Sequence, residues 1–217
     1  SRMSSHYIVR DEQEPALLVD DASVLSFEFV ELLLEWSPKL MVTSNAVDAV
    51  LKWGVKVDAV VARPEQLEEL KPKLKPQSPV EVLLFETSDL LNSAYIVLQD
   101  QGHKAVNVLA DTFNSSCLDT IRDYAEAMDS VLYYNDQKWV YESKGAFQKW
   151  VNIGDVFGVH PIVQGTFFKT EGFYSNLDNE MYLEPFELTS EVEGKVRVQS
   201  NQKPFWLIET LKTDLYL

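Results

Sequence analysis

Val42-Thr-Ser-Asn-Ala-Val-Asp-Ala-Val-Leu-Lys-Trp-Gly-Val-Lys-Val-Asp-Ala-Val-Val-Ala-Arg-Pro-Glu-Gln66 packs two strand signals and two helix signals into one short stretch. Leu40–Val42 is an apolar run of strand length, and Ala46 to Trp53 predicts a short helix that Gly54 ends as its C′ residue. Asp58–Val61 is a second apolar run, and Pro64 stands at the N1 position of a short acidic helix, where its missing N–H is no loss. Two strands joined through a helix must run parallel, so this stretch predicts a βαβ unit.

The same alternation extends on both sides. Ala16–Val19 predicts a buried strand followed by a turn at Asp20-Asp21, and Ser23 caps a helix from Val24 to Trp36 that Pro38 ends. Beyond Gln66, Pro72, Pro76 and Pro79 break the chain before a strand at Val80–Phe85. Asp89 to Gln101 then predicts a helix stopped by Gly102, and Ala105–Leu109 a strand. A last helix, capped by Ser115 or Ser116, runs to Met128 with Leu118, Ile121, Tyr124, Ala125 and Met128 on one face. After Val131 short runs rich in Val, Tyr, Phe and Trp alternate with turns such as Asn135-Asp136, Gly154-Asp155 and Glu193-Gly194, the texture of antiparallel β structure. The expected architecture is an α/β domain on a parallel sheet over residues 1–130, then an antiparallel β-sandwich over 131–217.

The 217 residues suit one large or two small domains, and 46% hydrophobic residues supply ample core. Nothing approaches the roughly 18 apolar residues of a membrane span, and Ser1 to Arg10 lacks the apolar stretch of a secretory leader. The single cysteine, Cys117, cannot form an internal disulfide, so a cytoplasmic location is expected. A net charge of −15 argues against nucleic acid as a partner and disfavours a polyphosphate unless a local basic pocket or a metal offsets the field. The simplest reading of the acidity is solubility.

The Val42–Gln66 stretch resembles, without gaps, the signature region of thiamin pyrophosphokinases: an Asp-Gly-Ala turn, a helix ending in Gly, Pro-Asp, an apolar strand, and Gly-Asp-x-Asp-Ser. A second stretch, Gly154-Asp-Val-Phe-Gly-Val-His-Pro-Ile-Val-Gln-Gly-Thr-Phe-Phe-Lys-Thr-Glu-Gly-Phe173, is similar to that family's Pro-Gly-Asp and Glu-Gly-Leu strands, and the domain order agrees. The resemblance implies a nucleotide-binding-like first domain, a thiamin-binding-like second domain and a homodimer. It also implies the transfer of pyrophosphate from ATP to thiamin with Mg, a reaction that needs carboxylates on the metal and a cation or base near the attacking hydroxyl.

Position by position, those groups are replaced. Ala62-Arg63-Pro64-Glu65-Gln66 stands for Gly-Asp-x-Asp-Ser, so an arginine reverses the charge where a cation should sit, and Glu65 alone keeps a carboxylate. Ser44-Asn45 stands for the Asp-Gly turn that approaches the nucleotide; Asn tolerates the left-handed turn but lacks the charge. Thr87-Ser88-Asp89 resembles the family's Asp-Thr-Thr/Asn-Asp motif, with either Asp89 or Leu90 at the last aspartate, and it also reads simply as a helix N-cap. After Ala105–Leu109 the family's Arg, Asp and His are absent: Asn114, Ser116 and Cys117 take their approximate places, and Asp111 is either a nearby carboxylate or a turn residue.

His6, His103 and His160 lack metal-ligand spacing, so no metal site is expected from them, and Cys117 has no activating neighbour in sequence. Trp139, Trp150, Trp206 and Tyr174 read either as thiamin-stacking aromatics or as sheet core; Ser190 matches the family's thiamin-site serine, but Glu191 replaces the usual Asn after it. The resulting expectation is a protein with this fold but without the transfer reaction, acting as a ligand-binding protein, for which thiamin or a nucleotide is the candidate ligand, or as an interaction protein. The alternative is an active kinase using Glu65, Asp89 and Asp111, with ATP bound at Ser44, Asn45, Thr87 and Ser88.

Overall fold

The computed structural model describes residues 14–212, so His6 lies outside the described residues. The chain divides after Asp136 into two compact units. The division expected after Ser130 falls inside a strand, Asp129–Tyr134, whose parallel pairing to Ala105–Leu109 keeps it in the first unit.

The first unit holds β1 (Ala16–Val19), β2 (Leu40–Thr43), β3 (Ala59–Ala62), β4 (Glu81–Leu84), β5 (Ala105–Leu109) and β6 (Asp129–Tyr134). Its strands are all parallel, in the order β6-β5-β1-β2-β3-β4. Every residue of β1, β2 and β3 is buried, which is why these strands read as unbroken apolar runs rather than alternating ones. From β1 the chain moves outward through β2, β3 and β4, then returns to the opposite side of β1 as β5. That reversal creates a crevice at the carboxyl ends of β1 and β5, the usual ligand site of an open α/β sheet.

The helices are α1 (Phe27–Leu34), α2 (Val47–Leu51), α3 (Leu67–Leu74), α4 (Leu90–Asp100) and α5 (Cys117–Asp123). Several are shorter than their sequence patterns. Ser23 does not cap α1: its N–H and hydroxyl both donate to Asp21, which caps a 3-10 turn at Ala22–Val24. Ser26 occupies the N-cap of α1 instead, and its N–H and hydroxyl donate to Asp136 at 2.7 and 2.5 Å. Pro72 does not break the chain but sits within α3, ahead of the buried Leu74. Gly54 has φ of +70°, in the left-handed region, but α2 ends at Leu51 with Lys52 as its C-cap, so Gly54 lies one residue beyond the C′ position expected for it.

The second unit holds β7 (Gln137–Glu142), β8 (Ala146–Val151), β9 (Val156–Pro161), β10 (Phe167–Glu171), β11 (Asp178–Met181), β12 (Phe186–Thr189), β13 (Gly194–Ser200) and β14 (Phe205–Thr210). Two antiparallel sheets form, β12-β9-β14-β7 and β11-β10-β13-β8. Phe157, Val159, Phe205 and Leu207 from the first meet Phe168, Val196 and Val198 from the second in one core, which makes the unit a sandwich. The alternation is plain in β13, where Val196 and Val198 are buried while Lys195, Arg197 and Gln199 are exposed. Among the described residues no helix is long and apolar enough to cross a membrane.

Candidate functional site

A cavity of about 420 Å³ lies beyond the carboxyl ends of the first unit's strands, lined by Asp20, Asn45, Ser88, Asp89, Phe113 and Ser116 among others. Asp20 follows β1 directly, and its N–H, like that of Asp21, donates to the Leu109 carbonyl at the end of β5, at 2.9 and 3.1 Å. Its carboxylate is held from β2: Oδ1 accepts from the buried Thr43 hydroxyl at 2.7 Å and from Asn45 Nδ2 at 3.2 Å. Sequence reading took Asp20-Asp21 for a turn. The available signal was position alone, a carboxylate directly after a buried parallel strand.

Asp89 is the N-cap of α4, as the helix-cap reading of Thr87-Ser88-Asp89 expects. Oδ1 accepts from the Asn92 N–H at 3.0 Å, and the Asp89 N–H donates to Thr87 Oγ1 at 3.1 Å. Oδ2 accepts from the Ser116 hydroxyl at 2.7 Å, and Ser116 is itself the N-cap residue of α5. One carboxylate therefore joins the starts of two helices, where the helix dipoles favour negative charge.

The other sequence candidates are placed differently. Asp111 does not line this cavity: it accepts from the Phe113 N–H at 2.8 Å and Asn114 Nδ2 at 2.8 Å, the geometry of a turn-forming aspartate. Those donors, the Phe113 N–H foremost, hold its pKa below the ordinary value. Arg63 Nε donates to Glu65 Oε1 at 2.8 Å, and neither residue lines the cavity. The Glu65 carboxyl is held below its usual range by its own backbone N–H and by Arg63. Ser44 continues the sheet, its N–H donating to the Val61 carbonyl at 2.9 Å, while its enclosed hydroxyl has no hydrogen-bond partner among the described residues. Ser88 is exposed at the rim, and Cys117 is buried, with desolvation pushing its thiol pKa up and so disfavouring the thiolate.

No protein-family profile matches the sequence, and neither does any curated protein. Solved structures do match. The thiamin pyrophosphokinase of Geobacillus thermodenitrificans superposes with a TM-score of 0.73 over 92% of this chain and 98% of that one, at 11% identity. The Candida albicans enzyme gives a TM-score of 0.67 over 92% and 90% at 8% identity, and the yeast enzyme 0.67 over 93% and 87% at 10%. The fold is that of the thiamin pyrophosphokinases. The likeness read from Val42–Gln66 and Gly154–Phe173 thus holds at the level of architecture, which is all that such identities show.

Within the thiamin pyrophosphokinase fold, the residues at the strand ends do not fit a magnesium site. Magnesium demands several oxygen ligands in octahedral geometry. Asp20 Oδ1 and both oxygens of Asp89 are engaged by protein donors, and Glu65 is held by Arg63. Among the described residues no three His, Cys, Asp or Glu side chains gather to hold a metal. Among the described residues no Lys, Arg or His lines the cavity either, so a polyphosphate would meet Asp20 and Asp89 without a compensating cation from them.

In the second unit, Ser190 is fully buried, and its hydroxyl accepts from the Asp155 N–H at 3.0 Å and donates to the Asn152 carbonyl. It fastens the turn between β8 and β9. Trp206 is 5% exposed, with Tyr141 at 5.3 Å and Trp139 at 6.3 Å between ring centroids. Trp139 also meets His160 edge-on at 5.3 Å, and burial pushes the His160 pKa down. Trp150 and Tyr174 are exposed and belong to neither group.

Proposed function

We propose that this chain is a non-catalytic protein of the thiamin pyrophosphokinase fold, which holds a small polar ligand at the ends of β1, β2, β4 and β5 and does not transfer pyrophosphate. The observation that carries this reading is the engagement of Asp89 by Asn92 and Ser116, with Asp20 held by Thr43 and Asn45. Carboxylates that already accept protein hydrogen bonds have less acceptor capacity left for a hard cation, and without one the phosphate charges face a negative wall. The lining, rich in Asn, Ser and Asp, suits a neutral or cationic molecule of nucleoside or thiamin size and disfavours a nucleoside triphosphate. A homodimer in the cytoplasm is part of the same proposal.

The test pairs a turnover assay with a thermal-shift series. With ATP, magnesium and thiamin, no thiamin diphosphate above background is expected; clear turnover would overturn the reading. Titration with thiamin and with adenosine should raise Tm for at least one, by about 2.7 kcal/mol of stabilisation at a hundredfold excess over Kd, while ATP leaves it flat. A second reading, an active kinase with new ligands, draws on the shared presence of Asp20 and Asp89 in one cavity. It requires turnover that D20N and D89N both abolish.

A further inference from the structure

The open edge of the first unit's sheet presents a second binding surface. β4 pairs with β3 alone among the described strands. The Glu81 and Phe85 N–H groups donate to the Asp58 and Ala62 carbonyls of the β3 segment at 3.0 and 2.9 Å. Strand periodicity then turns the backbone N–H and C=O of Val82 and Leu84 to the open side. Beside that row lies a groove of about 520 Å³ between β4 and the end of α3, lined by Pro72, Leu74, Val80 and Val82 with Lys71 and Lys75 at its rim. Leu84, two residues along on the Val82 face, is 40% exposed. Free backbone groups, an apolar groove on the same side and cations at its rim coincide at one place.

We propose that this edge takes an extended acidic segment of a partner protein, which adds a strand to β4 and sets alternate apolar side chains into the groove. The occupant follows from charge. Against a net charge of −15, Lys71, Lys73 and Lys75 form a local basic run. Lys73 is held by Asp48 and Glu69, and Lys71 by Glu68 at 2.6 Å, whereas Lys75 makes no ion pair among the described residues. A second copy of this chain would bring its own lysine rim and the same large negative charge to the contact, so a foreign acidic strand fits better.

The probe is a labelled peptide of about six residues alternating valine with glutamate, titrated with the full chain and compared with its valine–lysine counterpart. The expected result is saturable binding of the glutamate peptide alone, weakened about fivefold by K75E, with slowed amide exchange at Val82 and Leu84. Val82→Pro, which removes an outward donor and no β3 bond, should abolish binding. Equal binding of the lysine peptide, indifference to K75E, no saturation by about 1 mM, or sedimentation showing that the edge pairs with a second copy would each overturn the proposal.

Discussion

The Ser116 hydroxyl donates to Asp89 Oδ2 at 2.7 Å, while the other oxygen of the same carboxylate caps α4 through Asn92. The residue that one register of the kinase resemblance puts at the family's aspartate thus holds two helix starts together.

Asp89→Ala should therefore lower stability by about 1–2 kcal/mol, the loss of a cap and a charge-assisted hydrogen bond. Ser116→Ala should cost less, and the double variant should fall short of the sum, because the two share one interaction. Urea unfolding of the four proteins reads this directly. A D89A protein as stable as the parent would contradict the structural role.

Arg63 and Glu65 satisfy each other at the protein surface, with side chains 37% and 68% exposed. Exposed pairs contribute little, so R63A should leave the urea midpoint nearly unchanged. The Arg63→Asp variant, which restores the family's charge at this position, should still show no pyrophosphate transfer, because Arg63 does not line the cavity. Turnover gained by R63D would show that this position alone had silenced the site.

Glu142, the last residue of β7, pairs in register with the core residue Phe205, and burial pushes its pKa up to about 7 from 4.5. A carboxyl whose folded pKa is raised favours the folded state when protonated. Its contribution is fully present below about pH 4.5 and is lost as pH rises through about 7. Glu142→Gln should match the parent at low pH and exceed it near pH 8 by on the order of 1 kcal/mol, after the screening that its partial exposure allows. Urea midpoints of both proteins across that range check the sign. A parent that gains on E142Q with rising pH would refute it.

Gly145, in the turn from β7 to β8, has φ of +69°, and a Cβ there would overlap the Ser200 hydroxyl and lie 2.7 Å from the Lys203 carbonyl. The backbone that would be displaced also carries the 2.7 Å bond from the Ser200 N–H to the Gly145 carbonyl. Gly145→Ala should destabilise the chain by about 2–4 kcal/mol, read as a fall in Tm. Gly54→Ala, with a similar φ but nothing within 4 Å, should cost only about 1 kcal/mol.

Much of this was legible in residue order. The buried runs Ala16–Val19, Leu40–Val42 and Ala59–Val61 carry the parallel sheet, because a strand covered on both faces must be apolar throughout. The cap at Asp89 and the Arg63–Glu65 pair were within reach as well, since their partners lie within three residues. Charge reversal at Arg63 was plain without coordinates.

What the order of residues left open depends on contacts between distant segments. Asp20 became a site residue only when β1 and β2 met in register, bringing Thr43 and Asn45 to its carboxylate across 23 and 25 residues. Ser116 reaches Asp89 across 27 residues. Ser190 is bonded to Asn152 and Asp155 across 38 and 35 residues. Local patterns select strands, helices and caps, because their interactions span a few residues; whether a carboxylate is free to bind anything is decided by the neighbours that the topology delivers.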